Sequence, residues 1–304
     1  MSVPTAVTEA APGRSLGDVA RLYWDMTRPR VLLLVLFTGL PVLAMGRGGW
    51  PGLVTAFWVL LGTGLAGGAS SVLNAYIERE SDAFMARTRN RPLPAASMAP
   101  THAISYGVFL SVLSTVVLYL VGGWLAAAVG VVSILFYVFF YTAFLKKRTP
   151  QNIVIGGAAG ATAPLIASAA LDGHISVAAW VLFAIIFLWT PPHFWAIALY
   201  RKDEYAAAGI PMMPNVVGDQ GTRWRMLGYT LLLGAASMVP SFLGHLTWFY
   251  GAAAIALGAW FTWWNIKVIR ARLNSVDRGM FKASIVYLFL LYGAMLADLA
   301  IFPG

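Results

Sequence analysis

Asn74, Glu78 and Asp82 recur at intervals of four residues. At 3.6 residues per turn, four steps overshoot one turn by only about 40°, so the three side chains share one helical stripe. One amide and two carboxylates give oxygen donors alone, a set suited to Mg²⁺, which takes few carboxylates and completes its shell with water and phosphate oxygens. Arg87, Arg89 and Arg91 follow at once, and guanidinium forks match phosphate oxygens in pairs. Acids that hold a metal beside arginines that hold an anion describe a diphosphate site. Read blandly, the same stretch is a solvated juxtamembrane loop, and Glu80, off the stripe, fits that reading. A second polar loop carries Arg201, Lys202, Asp203 and Glu204, then Gly209-Ile210-Pro211-Met212-Met213-Pro214. Adjacent acids share a helix face poorly, so Asp203 is the weaker metal candidate, and a solvated role suits Glu204 equally well. The prolines end any helix there and predict a shaped cap over the site.

The elements that position these residues are apolar. Of 304 residues, 59% are hydrophobic and 11% charged, which excludes an ordinary soluble domain. Nine apolar stretches lie near 31–46, 51–77, 100–121, 124–145, 151–171, 176–199, 224–244, 247–266 and 281–301. A span needs about 20 residues, so the expectation is an all-α polytopic membrane protein of nine transmembrane helices. Threading them alternately places every one of the 21 Lys and Arg residues except Arg47 on one side. Cationic loops stay in the cytoplasm, which puts the N-terminus inside, the C-terminus outside and both polar loops at the cytoplasmic face. The net charge of +9 is then topological and predicts no nucleic-acid partner. The absence of cysteine excludes disulfides and thiolate chemistry. Residues 1–18, rich in Ala, Pro, Gly and Ser, read as a disordered tail before a single domain over 19–304.

Three further features lie near the same mouth. Lys146, Lys147 and Arg148 offer cations to a diphosphate and are equally a topology signal. Asn152 opens the fifth stretch beside them, and Tyr76, Tyr141 and Trp195 lie at a depth where aromatic rings could shelter a carbocation. His193 stands just after Pro191-Pro192 within a span, where polar groups are expensive and often functional. It could ligate a metal, bind an anionic group or place a water. Alternatively it satisfies carbonyls freed by the prolines.

The strings NAYIERESDAFMARTRNRPLP (74–94), LKKRTPQNIVIGG (145–157), WTPPHFWAIALYRKDEY (189–205) and GIPMMP (209–214) resemble the UbiA-type intramembrane prenyltransferases, and within them the branch that prenylates heme. The resemblance runs from Thr27-Arg28-Pro29-Arg30 to the last helix. It implies a helical bundle around a central cavity in the bacterial plasma (inner) membrane, with farnesyl diphosphate held through Mg²⁺ and heme B as acceptor. Heme A synthase enters as a downstream partner. The family's first motif, N-x-x-x-D-x-x-x-D, falls on Asn74, Glu78 and Asp82, with Glu78 a longer-armed carboxylate. The D-x-x-x-D of quinone-prenylating relatives is missing, leaving Asp203 and Glu204 as the second loop's acids. The implied catalytic set is Asn74, Glu78, Asp82, Asp203 and His193, and Asn74, Glu78, Asp82 and Asp203 would hold the metal. The implied substrate-binding set is Arg87, Arg91, Lys146, Arg148, Asn152, Arg201, Lys202 and Tyr141. Competing readings are the same fold acting on a quinone or chlorophyll-type acceptor and, from another class, a secondary transporter. Against the transporter stand the odd helix number, the absence of an evident repeat and polar clusters at one face rather than the midplane.

Overall fold

The computed structural model describes residues 15–46 and 49–302. Helix α1 (Leu16–Met26) starts at a capping box in which Ser15 and Asp18 satisfy each other's backbone N–H groups. It therefore begins inside the segment expected as tail, while residues 1–14 and Arg47 lie outside the described residues. Leu16 and Trp24 are exposed on α1, and the chain then bends by 50° into α2 (Pro29–Met45). Next come α3 (Leu53–Asp82) and α4 (Pro100–Leu135), which continues as a π-helix over Phe136–Leu145. They are followed by α5 (Asn152–Gly160), α6 (Ala163–Asp172), α7 (Val177–Tyr200) and the short α8 (Lys202–Ala207). Helices α9 (Met213–Phe242), α10 (Trp248–Ala271) and α11 (Asn274–Ile301) complete the bundle. Among the described residues there is no strand.

Six of these helical units are long and apolar enough to cross a membrane, or seven if the bent pair α1–α2 is one span. The nine expected stretches differ from that count at two places. Residues Pro100–Leu145 form one unit of 46 residues, but Gly123 interrupts it with φ 71° and ψ −170°, a backbone conformation only glycine adopts readily. At about 1.5 Å per residue such a unit is more than twice the roughly 30 Å hydrocarbon thickness. The neighbouring Gly122 is also fixed by packing, since a Cβ there would meet the Ala170 Cβ at 2.5 Å. The second place is α9, which is too polar to pass the same test and is broken at Gly218 with φ 74°.

Burial follows the logic of a membrane bundle. The interior holds Trp195, Tyr250, Phe261, Tyr287 and Tyr292, with Phe261 stacked on Tyr287 at 4.7 Å. The outer surface presents Phe57, Val108, Phe139, Leu231 and Phe289, which water would penalise and lipid accepts. With the family evidence given below, the chain is a multi-pass membrane protein. Helix α7 lies against α5, α6, α9 and α11, while α3 packs chiefly on α4. The polar ends of α2, α3, the π-helix, α5, α9 and α11 meet at one end of the bundle, through the side-chain contacts described next.

Candidate active site at the charged end of the bundle

The stripe on α3 is buried. Asn74, Glu78 and Asp82 are 1%, 7% and 1% exposed, so this is not a solvated loop face. Each is engaged by one cation from a different part of the chain. Arg28 Nη2 donates to Asn74 Oδ1 at 3.1 Å, Lys146 Nζ donates to Glu78 Oε1, and Arg91 Nη1 donates to Asp82 Oδ2 at 2.8 Å. Glu80, by contrast, is solvated and pairs only with its neighbour Arg79.

The π-helix explains how two of these contacts are spaced. Its wider turn aligns residues five apart, so Thr142 Oγ1 donates to the Tyr137 carbonyl at 2.8 Å and the Lys146 N–H to the Tyr141 carbonyl at 2.9 Å. Thr142 and Lys146, four apart, then face Asn74 and Glu78, also four apart, as two rungs between neighbouring helices. π-Turns are uncommon and often mark functional sites. Because the Thr142 hydroxyl proton is committed to Tyr137, its oxygen accepts from Asn74 Nδ2 at 3.0 Å. That fixes the amide orientation, which hydrogen-bond networks alone can assign, and turns the only acceptor of Asn74 toward Arg28.

Lys146 is the hinge between the two polar loops. Burial opposes its charge, but the Glu78 carboxylate outweighs that and holds its pKa above the ordinary lysine value. The buried Asn152 amide donates to the Thr149 carbonyl at 2.7 Å, the Lys146 carbonyl at 3.3 Å and the Pro211 carbonyl at 3.4 Å. The GIPMMP segment is thus tied to the same centre as the α3 stripe. Asn152 Oδ1 is buried without a partner among the described residues, a polar atom suited to a ligand or water. Tyr141 lies flat over the backbone of Gly156, where a Cβ would come within 2.2 Å of its ring, and the Lys146 ammonium stands 5.9 Å from the ring centroid.

Other candidates are placed differently. Arg91 is half-buried, and burial together with the nearby Arg28 charge lowers its pKa. Arg87 is exposed. Arg148 is exposed and lies over the Phe144 ring at 4.2 Å. Arg201 pairs with Glu204 at 2.9 Å and Lys202 with Asp219 at 3.0 Å. Asp203 is exposed on α8. Among the described residues no group of three or more His, Asp or Glu side chains is poised to hold a metal. The oxygen set of Asn74, Glu78 and Asp82 still suits a hard cation that keeps its waters and takes phosphate oxygens as further ligands.

His193 is buried on α7 between aromatic rings, stacked on Trp189 with centroids 4.2 Å apart and 4.9 Å from Phe281. Its Nδ1 is 2.7 Å from Ser284 Oγ on α11. Ser284 donates its own proton to the Phe281 carbonyl at 2.6 Å, so His193 Nδ1 is the donor and Nε2 keeps its lone pair. The imidazole is thereby tied to α11. That lone pair suits an iron atom or a water's proton better than a propionate, which needs a donor.

Sequence reasoning missed Arg28, Thr142 and Ser284 as members of this site. Arg28 entered as a topology charge and as part of the string that opens the resemblance, without a role at the site, although it directly precedes the Pro29 that opens α2. Thr142 could have been found from its spacing of four to Lys146, matching the spacing on α3. Ser284 left no signal, since nothing local links α7 to α11.

Residues 34–294 match the UbiA prenyltransferase family. The chain is 44% identical to the protoheme IX farnesyltransferase of Acidiphilium cryptum over 93% of its own length and 92% of that protein's. It is 43% identical to the protoheme IX farnesyltransferase of Gluconacetobacter diazotrophicus, over 96% and 97%. Among solved structures, a digeranylgeranylglyceryl phosphate synthase superposes with a TM-score of 0.77 at 14% identity, over 92% of this chain and 98% of that one. A UbiA homologue from Archaeoglobus fulgidus, bound to DMAPP and Mg²⁺, does so with a TM-score of 0.66 at 16% identity, over 90% and 99%. At such identities the superpositions speak for the fold, and the family match and the close relatives speak for the chemistry. The chain belongs to the UbiA prenyltransferase family and is a prenyltransferase.

Proposed function

We propose that this enzyme transfers the farnesyl group of farnesyl diphosphate to a vinyl group of heme B, with addition of water, to give heme O. The observation that carries the reading is the buried α3 stripe, in which each of three oxygen donors is matched by a cation. The heme acceptor rests on the relatives named protoheme IX farnesyltransferase, and His193, whose Nδ1 is held by Ser284 within an aromatic shell, supplies a residue suited to it. A secondary transporter is set aside by family membership.

The barrier is charge separation: the allylic C–O bond breaks, leaving a diphosphate and a farnesyl cation. The vinyl carbon attacks that cation, and water adds to the new cation beside the porphyrin and loses a proton. Asn74, Glu78 and Asp82 would hold Mg²⁺, which when bound neutralises charge on the diphosphate. Lys146 and Arg91, each paired with a carboxylate of that stripe, stand positioned to meet the leaving group, the kind of fixed electrostatics that contributes most to such steps. Tyr141, pinned on Gly156, offers its face to the cation without offering a base. His193 Nε2 can ligate the iron or take the water's proton. Asp203, Arg87, Arg148, Arg201 and Lys202 belong to a looser outer ring that would meet the substrate when it enters. The topology proposed is nine spans with the N-terminus inside, splitting the long unit at Gly123 and counting α9, so that the charged end faces the cytoplasm of a bacterial inner membrane. Contact with heme A synthase is proposed as a means of passing on an insoluble product.

Purified protein incubated with Mg²⁺, farnesyl diphosphate and heme B should yield a hydroxyethylfarnesyl heme by mass spectrometry. Prenylation of a quinone or chlorophyll-type acceptor, with heme unchanged, would overturn the acceptor assignment while leaving the prenyltransferase intact.

A further inference from the structure

Arg28 is the one residue of the α1–α2 elbow whose side chain reaches the site. It lies in the left-handed region with φ 54° and ψ 58°, and its side chain makes no cap for α2. Residues other than glycine are uncommon there, and such strain gathers at functional positions. The bend places the guanidinium on Asn74 Oδ1 at 3.1 Å. That oxygen is the only atom through which Asn74 could ligate a metal, because Nδ2 is turned away onto Thr142. Arg28 thus covers a ligand atom of the metal site proposed above, on which this inference rests. Arg28 and Arg91 thus bracket the α3 stripe, one on Asn74 and one on Asp82, and two guanidiniums beside one row of acids suit an anion with several oxygens.

We propose that Arg28 is a substrate-binding residue: it blocks Asn74 Oδ1 in the free protein and moves onto the diphosphate of the incoming prenyl substrate, uncovering that oxygen for the metal. Metal and diphosphate then bind with mutual support. Metal alone must displace the guanidinium, whereas the diphosphate draws it away. Reciprocity requires each ligand to tighten the other by the same factor.

The test uses the full chain in lipid nanodiscs, with Mn²⁺ binding read by electron paramagnetic resonance and binding of unreactive farnesyl thiolodiphosphate by calorimetry. Arg28→Gly removes the side chain and relieves the left-handed backbone, so it should fold. In this variant Mn²⁺ alone should bind about tenfold more tightly. The thiolodiphosphate should bind about 10- to 100-fold more weakly, the loss expected for a charge-assisted hydrogen bond. Arg28→Lys should recover part of the anion affinity. A purely structural role for the elbow would shift both affinities the same way, and that result, or no shift in either, would overturn the proposal. Asp82→Ala separates the inference from its foundation. Loss of Mn²⁺ binding in that variant upholds the metal site whatever Arg28 does, and unchanged Mn²⁺ binding would remove the site and the inference together.

Discussion

At one end of the bundle Asp298 is 1% exposed and accepts from the Thr247 N–H at 3.0 Å, the Thr247 hydroxyl at 2.5 Å and the Tyr250 N–H at 3.0 Å. Its partners belong to the first turn of α10, where a carboxylate meets free N–H groups and the positive end of the helix dipole. At the other end Glu78 and Asp82 are equally buried, but their partners are the long side chains of Lys146 and Arg91, whose own surfaces remain 18% and 26% exposed. Short, fixed backbone donors hold a helix end. Flexible cations at a mouth can be exchanged for a ligand's charge without unfolding anything. Arg223–Asp277 marks a third arrangement at the charged end, with both partners buried (5% and 0% exposed) and joined at 3.0 Å between α9 and α11. Depth and the mobility of the partner, not the presence of an acid, separate a site from a strut.

The sharpest way to break this comparison is Asp82→Ala. Turnover should fall by about 10²- to 10³-fold, the scale for losing one preorganised transition-state contact, with the melting temperature nearly unchanged. Near-normal turnover at saturating Mg²⁺ would dissolve the contrast.

Arg223→Ala should do the reverse. Leaving Asp277 buried and alone costs about 3–5 kcal/mol, so folded yield and melting temperature should drop while turnover per folded molecule holds. Replacing both partners with apolar residues of similar volume should restore most of the stability, and denaturation of the single and double variants would check it.

Asp298→Ala should lose about 2–3 kcal/mol, since it strips charge-assisted hydrogen bonds from a helix start. Heme and farnesyl diphosphate affinities should be unaltered; a selective loss of either would give the Asp298 end of the bundle a functional role the comparison denies it.

Glu80→Ala should be the mildest change. An exposed ion pair contributes at most about 0.5–1 kcal/mol, so activity and stability should match the unaltered protein within error.

The sequence by itself determined a good deal. Hydropathy and the loop charges specified an all-helical membrane chain, because a bilayer admits only segments that satisfy their own backbone. The interval of four between Asn74, Glu78 and Asp82 was enough to place them on one stripe, since helix geometry is local. The tertiary structure decided who meets whom. Arg28 reaches Asn74 across 46 residues and His193 meets Ser284 across 91, distances at which no periodicity survives. The π-winding of Phe136–Leu145, which turns Thr142 and Lys146 toward α3, is invisible in an apolar run that reads as ordinary helix. Likewise Asp203 looks as acidic as Asp82 in the sequence, and only packing leaves one on the surface and the other buried against Arg91. Local backbone energetics chose the helices; the desolvation of charges, which depends on every neighbour at once, chose the site.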